Sequence, residues 1–447
     1  MKKTIIITFS LLLSYVTNAQ ESISLSLNEA INYALDNSYS SINAARDIEA
    51  AKKKKWETTT MGLPQISATI DYQNWIKQQV SLIPAEFFGG NEGEFAEVSF
   101  GTKQNINATA TLNQLIFDGS YIVGLQSAKV YLQISENAKE KTDLSIREAA
   151  INAYGNVLLS EESLKILAKN VSNLEKNLNE TTQIYENGLT EEENVEQLKL
   201  TLASLKSQYS RTTKLKDIAY KMLNITLGID INNKVVLTDN LDNLASQYSD
   251  FSLLNDTFNI ENHIDYKIAK NNEKSNELLV KLEKSRALPT LSSFLNFGYA
   301  GYGNNFDFLK KEQQWFDSSL LGVSLNIPIF SSLARSSRTQ QAKIDLDKAQ
   351  TNLTETQQRI LLNLESAKTE YKFSLEELET SKQNLSLAER IENKNQIKFF
   401  EGLASSFELT EAQNQLYSMQ QNYLQAMLNV INNKATLDNA LNTPINN

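Results

Sequence analysis

Apolar residues recur at helical spacing over most of this chain and alternate strictly in only four short places. Leu164, Leu167, Val171, Leu174, Leu178 and Tyr185 follow steps of three, four or one heptad. Val195, Leu198, Leu202, Leu205, Tyr209 and Thr212 follow the same rule. Sustained spacing near 3.5 residues predicts long helices joined along a coiled-coil-like seam. Adding 214 to the second set gives Leu409, Ala412, Leu416, Met419, Tyr423 and Ala426. Two unrelated amphipathic helices are not expected to hold one offset across six positions, so the pattern predicts an internal duplication.

Other landmarks repeat in the same order. Leu63-Pro64-Gln65-Ile66-Ser67 returns as Leu288-Pro289-Thr290-Leu291-Ser292, Leu115-Ile116-Phe117 as Pro328-Ile329-Phe330, and Gly188-Leu189 as Gly402-Leu403. The offsets are 225, 213 and 214, so the first copy of a unit of about 215 residues carries a 12-residue insert between Leu-Pro and Ile-Phe. Between Asp118 and Asn187 there is no proline, and a continuous helix there would be roughly 100 Å long at 1.5 Å per residue. Asn187-Gly188 is expected to end it, with Thr190 as N-cap of the next helix and Glu193 at the capping-box position. In the second copy Gly402 ends one helix and Ser405 or Ser406 starts the next. Each copy thus reads as a long helical hairpin with a Gly-Leu tip.

The alternating segments are Ile66 to Gln73, Asn105 to Ile116, Leu291 to Tyr299 and Leu321 to Ile329, with Phe294 breaking the polar row of the third. Each is about 10 residues, the length of a tilted strand that crosses an outer membrane. Each has one apolar face and one Ser/Thr/Asn/Gln face, which a half-buried soluble sheet would share. Four strands cannot close a membrane barrel, whose smallest single-chain form has about eight, and open edges cannot sit in lipid. A membrane reading therefore requires several copies of the chain to share one barrel. Pro64 and Pro289 stand where a helix must stop and a strand begin. Loops are expected at 77–104 and 300–318, and Tyr72, Trp75 and Tyr299 stand where an interfacial aromatic belt would lie.

Composition removes most chemistry. The 447 residues include no cysteine, one histidine (His263), 5 Pro and 15 Gly. Disulfides, thiolate metal sites and most histidine acid–base groupings are excluded, and no cofactor is expected. The formal charge of −10 argues against a nucleic-acid surface. Lys2 and Lys3, a short apolar run from Ile5 to Val16 and Thr17-Asn18-Ala19 read as a secretory signal peptide cut after Ala19, leaving −12 once both lysines are gone. No phosphate-binding loop or Gly-flanked nucleophilic serine is present, so no enzyme is expected.

In its signal peptide, duplication, Leu-Pro before strands one and three, Ile-Phe at the ends of strands two and four, and Gly-Leu tips, the sequence resembles the TolC-like outer membrane efflux family along essentially the whole mature chain. The resemblance implies a mainly α fold with a transmembrane β section. Three chains of four strands would form a 12-stranded barrel, continued by a periplasmic α-barrel. The expected divisions are 1–19 signal peptide, 20–63 periplasmic helix, 64–118 first strand pair with its extracellular loop, 119–288 helical hairpin and connecting region, 289–331 second strand pair, and 332–447 second hairpin and C-terminus. The implied function is a passive outer membrane exit duct of a tripartite efflux or type I secretion system. Its implied partners are a periplasmic adaptor and an inner-membrane transporter.

The same resemblance puts adaptor contacts at Gly188, Leu189, Gly402 and Leu403. It puts a pore-constricting acidic ring at Glu408 and Glu411, a cation-favouring arrangement. The plain alternatives are helix capping for the glycines and a solvated helix start for the acids. Phe399 and Ala404 stand where a tyrosine and an arginine would lock a closed tip. Lys52–Lys55 reads either as a contact to anionic headgroups or as a solvated face, and His263 as a structural residue. The rival for the whole chain is a soluble periplasmic coiled-coil adaptor or scaffold. Cargo is not legible.

Overall fold

The computed structural model describes residues 23–251, 254 and 258–444; the signal peptide expected at 1–19 lies outside them. The described chain divides into two compact units. One comprises the described parts of 1–47, 136–268 and 354–447, and the other 48–135 and 269–353.

The first unit is helical. It contains β1 (Ile23–Leu25), α1 (Leu27–Asn37), the tip-ward part of α3 (Gly119–Glu186), α4 (Glu192–Leu227), β6 (Val235–Leu237), α5 (Leu241–Gln247), most of α7 (Ala334–Phe400) and α8 (Ser406–Ala440). Its main core joins Leu27, Ile31, Ile151, Val157, Leu223, Leu227, Leu244, Met427 and Ile431. A second cluster along the expected seam joins Leu167, Leu174, Leu198, Leu202 and Leu205. Leu409, Ala412 and Leu416, the duplicated counterparts, are buried too, whereas Tyr209 is exposed.

Two fully buried tyrosines fix the connecting segments. Tyr154 on α3 donates its hydroxyl between the Leu25 carbonyl (3.0 Å) and Asp239 Oδ2 (2.9 Å), and Asp239 Oδ2 also accepts from the Leu27 amide (2.7 Å). This closes the short parallel pair β1–β6 against the helix. Tyr371 on α7 bonds the Tyr248 carbonyl (2.5 Å) and accepts from the Asp250 amide (2.9 Å). Burial pushes the Tyr154 hydroxyl far above the ordinary tyrosine range, so it stays a neutral donor.

The second unit holds the strands β2 (Gln65–Asn74), β5 (Gln104–Phe117), β7 (Thr290–Gly303) and β8 (Trp315–Asn326), antiparallel in that order. Helices α2 (Tyr39–Thr60) and α6 (Ile264–Ser285) stop just before Pro64 and Pro289, as expected from a residue that cannot continue a helix. The turn before β2 is tightly built. A side chain at Gly62 would lie 2.4 Å from the Tyr121 ring, whose hydroxyl donates to the Thr59 carbonyl (3.0 Å).

The fourth strand departs from expectation. It begins at Trp315, inside the expected loop, and its ladder ends at the pair Asn326–Thr290, so Ile327 and Ile329 lie beyond it. Pro328 explains the early end, because it has no N–H to donate to the ladder. The second loop is therefore only 304–314. The longer first loop, 75–103, contains an unexpected hairpin of β3 (Val80–Pro84) and β4 (Phe95–Ser99), which is where the insert sits.

Candidate conduit surfaces

Strand register decides how the four alternating rows combine. Ile66, Ala68, Ile70 and Tyr72 stand opposite Leu112, Ala110, Ala108 and Ile106. Those in turn stand opposite Leu295, Phe297, Tyr299 and Gly301, which face Leu321, Ser319, Asp317 and Trp315. The apolar rows thus fall on one face across all four strands, with Asp317 and Ser319 near its loop end. The other face carries Ser67, Thr69, Asp71, Asn105, Asn107, Thr109, Thr111, Asn296, Ser318 and Ser324, with Leu320, Phe316 and Tyr302 as its apolar or aromatic members on β8 and the end of β7. Phe294, the break in the polar row, lies across from Gly322, where a Cβ would sit 2.2 Å from its ring. The glycine is what makes room for it.

The apolar face is open to its surroundings: Ile66 is 76%, Ile70 72%, Leu321 72% and Val323 66% exposed. Both edge strands, β2 and β8, leave a row of backbone groups unpaired within the sheet. At the loop end, Phe308 is buried over Gly301, Ile106 and Trp315 and packs edge-on to Tyr72 (6.1 Å), so this face ends in an aromatic cluster. Tyr72 and Tyr299 lie on this face as expected. Trp75 does not: it borders a cavity with Asn105 and Tyr302, which belong to the polar row. Strand parity puts it there: Trp75 falls in step with Gln73 on the polar row, not with Tyr72.

The two hairpin tips are closed alike. Gly188 has φ +73°, its amide donates to the Tyr185 carbonyl (2.8 Å), and the Leu189 amide reaches the Ile184 carbonyl (3.1 Å). Gly402 has φ +73° too, with the corresponding bonds to Phe399 (3.0 Å) and from Leu403 to Lys398 (2.8 Å). Both are Schellman closures, in which glycine takes the left-handed position without a Cβ penalty. Leu189 and Leu403 stand 79% and 74% exposed beside them.

The starts of the following helices differ. Thr190 is not an N-cap: α4 is preceded by Glu191, whose side chain makes no capping bond, and the Thr190 hydroxyl is taken by the Asn194 amide group (2.7 Å). Ser405 is a full cap of α8. Its hydroxyl accepts from the Glu408 amide (3.2 Å), and Glu408 Oε2 accepts from the Ser405 amide (2.8 Å). Glu408 is therefore tied to the helix start, and its carboxyl is held below the ordinary range by those bonds from Ser405. Glu411, one turn on, is exposed and takes no part in the box.

The sign of the pH effect follows. Because the folded-state pKa of Glu408 is lowered, the tie is complete above the ordinary carboxylate value of 4.5 and is lost as pH falls through the lowered value. The protection of the Ser405 and Glu408 amides against hydrogen exchange, relative to their intrinsic rates at each pH, is expected to fall across that acid window. Glu408→Gln should remove the pH dependence while retaining a capping side chain. Unchanged acid behaviour in that variant would assign the effect elsewhere.

Sequence reading missed a polar component of the helical seam. Ser163, Asn170 and Asn177, spaced by seven, are buried between the leucines of α3. Asn170 Nδ2 donates to Gln420 (2.8 Å), and Asn177 accepts from Gln396 Nε2 (3.2 Å). Glu392 on α7 is pushed up by burial, and burial with the nearby Glu392 charge lifts Tyr417 to about 12. The regular interval was the available signal. Of the other candidates, Lys52 and Lys54 pair with Glu49 (2.6 Å) and Glu57 (2.9 Å) on an exposed helix surface. His263 is buried, and its Nδ1 accepts from the Asp265 amide (3.1 Å) at the start of α6, a structural role.

Comparison with known proteins agrees with this geometry. Residues 260–443 match the family model for outer membrane efflux proteins. No curated protein matches by sequence. Solved structures share the fold, among them the following three. The outer membrane protein VceC of Vibrio cholerae is 15% identical, with a TM-score of 0.70, over 93% of this chain and 96% of that one. The CmeC outer membrane channel of Campylobacter jejuni is 18% identical, TM-score 0.72, over 93% and 85%. The open state of the MtrE outer membrane channel of Neisseria gonorrhoeae is 16% identical, TM-score 0.70, over 93% and 88%. The resemblance read from the sequence is borne out, on the second half by the family match and along the chain by the fold.

Proposed function

We propose that this chain, a TolC-like outer membrane efflux protein by its resemblance and resident in the outer membrane with a large periplasmic helical part, works as the passive exit duct of a tripartite efflux or type I secretion assembly. The observation that carries the reading is the sheet: mainly apolar rows of all four strands on one face, a mainly polar opposite face and two edges unpaired within the sheet. In lipid such edges must be closed, and a second and third copy close them without a parallel mismatch, because an even number of antiparallel strands per chain repeats in phase. An even strand count leaves the number of copies open; the resemblance sets it at three, a homotrimer with a 12-stranded barrel whose polar face lines water. Transport energy comes from an inner-membrane transporter joined through a periplasmic adaptor.

In this reading the adaptor packs on the tips, where Leu189 and Leu403 offer apolar knobs beside rigid glycine turns. The acidic ring falls chiefly to Glu411, since Glu408 is engaged by Ser405. A soluble adaptor would need an apolar face on such a sheet only where it met one neighbour, and apolar rows on four strands, broken on β8 by Asp317 and Ser319, exceed that need.

The natural chain contains no cysteine, which makes edge cross-linking clean. Cysteine at Thr69 on β2 is paired in turn with cysteine at Ser318, Leu320 or Ser324 on β8, and oxidised in outer membrane vesicles. One pairing is expected to give a ladder that ends at three copies. Recovery of the chain as an uncross-linked soluble periplasmic monomer would overturn the proposal.

A further inference from the structure

The displaced tryptophan points to a binding site. Where β2 and β5 leave the sheet, the first loop encloses a cavity of about 230 Å³ on the polar-row side, bordered by Trp75, Phe100 and Tyr302 together with Gln78, Gln79 and Asn105. Trp75 and Phe100 are 44% and 66% exposed, so their faces are not used up in a core, while Tyr302 leans on Phe316 with ring centres 5.8 Å apart. The rim is held in place. The Trp75 amide donates to the Lys103 carbonyl (2.9 Å), Gln78 Nε2 to the Gly101 carbonyl (3.3 Å) and Asn105 Nδ2 to Gln73 Oε1 (3.4 Å). That leaves the Gln78 side-chain oxygen and the Gln79 amide available to a ligand.

The chemistry of the lining narrows the occupant. No lining residue is charged, although Lys77, Lys103, Glu94 and Glu97 lie in the same loop. A charged ligand would give up its hydration without meeting an opposite charge. A wholly apolar one would desolvate amides and leave them unpaired. A ring with apolar C–H faces and a hydroxyl edge suits both parts, the faces against the aromatics and the hydroxyls against the amides. The volume lies below the roughly 300–1,000 Å³ of drug-sized sites, which fits a single ring.

We propose that this cavity binds one neutral pyranose unit, stacked on Trp75 and hydrogen-bonded by the Gln78 side-chain oxygen and the Gln79 amide. All of the lining comes from one loop and two strand ends of one chain, so the site stands or falls independently of the duct reading. With so few ligand atoms, affinity is expected on the order of millimolar. The sugar could be part of a free oligosaccharide or of an outer-leaflet glycolipid headgroup.

Saturation-transfer NMR on the full-length protein in a sugar-free zwitterionic detergent tests this, with maltotriose as the free probe and octyl β-glucoside below its micelle concentration as the lipid-linked one. Transfer to pyranose ring protons is expected for at least one probe. Signal from maltotriose identifies a free-saccharide site, and signal from the glucoside alone identifies a headgroup site. Trp75→Ala should abolish transfer, Trp75→Phe should retain most of it, and Trp56→Ala on α2 should leave it unchanged. An equal β-sheet signal in circular dichroism for every variant shows that the sheet is intact. Absence of transfer from both probes, or transfer that survives Trp75→Ala, would overturn the proposal.

Discussion

Ile70→Arg is expected to abolish assembly in the outer membrane, while Thr69→Arg, one residue away, is expected to be tolerated. Ile70 lies mid-strand on the apolar face opposite Ala108, and Thr69 on the polar face opposite Thr109. An arginine on the lipid face of a barrel costs about 2–4 kcal/mol near the bilayer midplane, falling toward the interfaces. The proposed homotrimer would carry the substitution three times, a loss of roughly 6–12 kcal/mol for the assembly, comparable with the whole stability of a typical domain. On the polar face the guanidinium stays in water. The readout is the heat-resistant oligomer band in outer membrane fractions. Equal damage from both variants, or greater damage from Thr69→Arg, would reverse the face assignment.

Gly228→Ala is expected to be the most damaging single-methyl change in the helical unit. Gly228 ends α4 at φ +78°, and a Cβ there would lie 2.1 Å from the Asn37 carbonyl oxygen and 3.0 Å from Ser38 Cα. The left-handed conformation costs a non-glycine residue about 1–2 kcal/mol. The contacts are with backbone, so no rotamer relieves them. Separating α4 from the α1–α2 junction adds about 1–3 kcal/mol, the usual range for overpacking. Gly188→Ala is the matched control, since Gly188 has φ +73° and no atom within 4 Å of its added methyl. The denaturant midpoint by circular dichroism should fall clearly further for Gly228→Ala. Equal shifts would show that the junction yields.

The long helices and their tips were legible because few breakers occur and each one acts. Gly188 and Gly402 close helices where their spacing placed them, and Pro64 and Pro289 stand just before β2 and β7. The four-strand sheet was legible from alternation, which is a local property. Features that depend on parity or partner were missed. Trp75 was read as a belt residue from its nearness to the strand end, although its odd position already set it with Gln73 on the polar row. The fourth strand was read through Pro328 because the alternation continues there while the hydrogen bonding does not. The β3–β4 hairpin was read as loop, although Val80-Ser81-Leu82 alternates. Tyr154 and Tyr371 carry no local mark, since an aromatic on an apolar stripe reads only as core. The pair β1–β6 has three residues per strand, too few for any period to register.

The tips share their exit geometry and differ at their re-entry, and this has a consequence for symmetry. In a trimer the duplication would present six Gly-Leu turns, a near-sixfold set built from a threefold assembly. A partner that reads only the turn and its leucine meets six equivalent footholds. One that also contacts the following helix start distinguishes a sealed Ser405–Glu408 end from an open Glu191 end, and meets two alternating sets of three. The stoichiometry of such a complex would therefore be set by how far past the leucine the partner reaches.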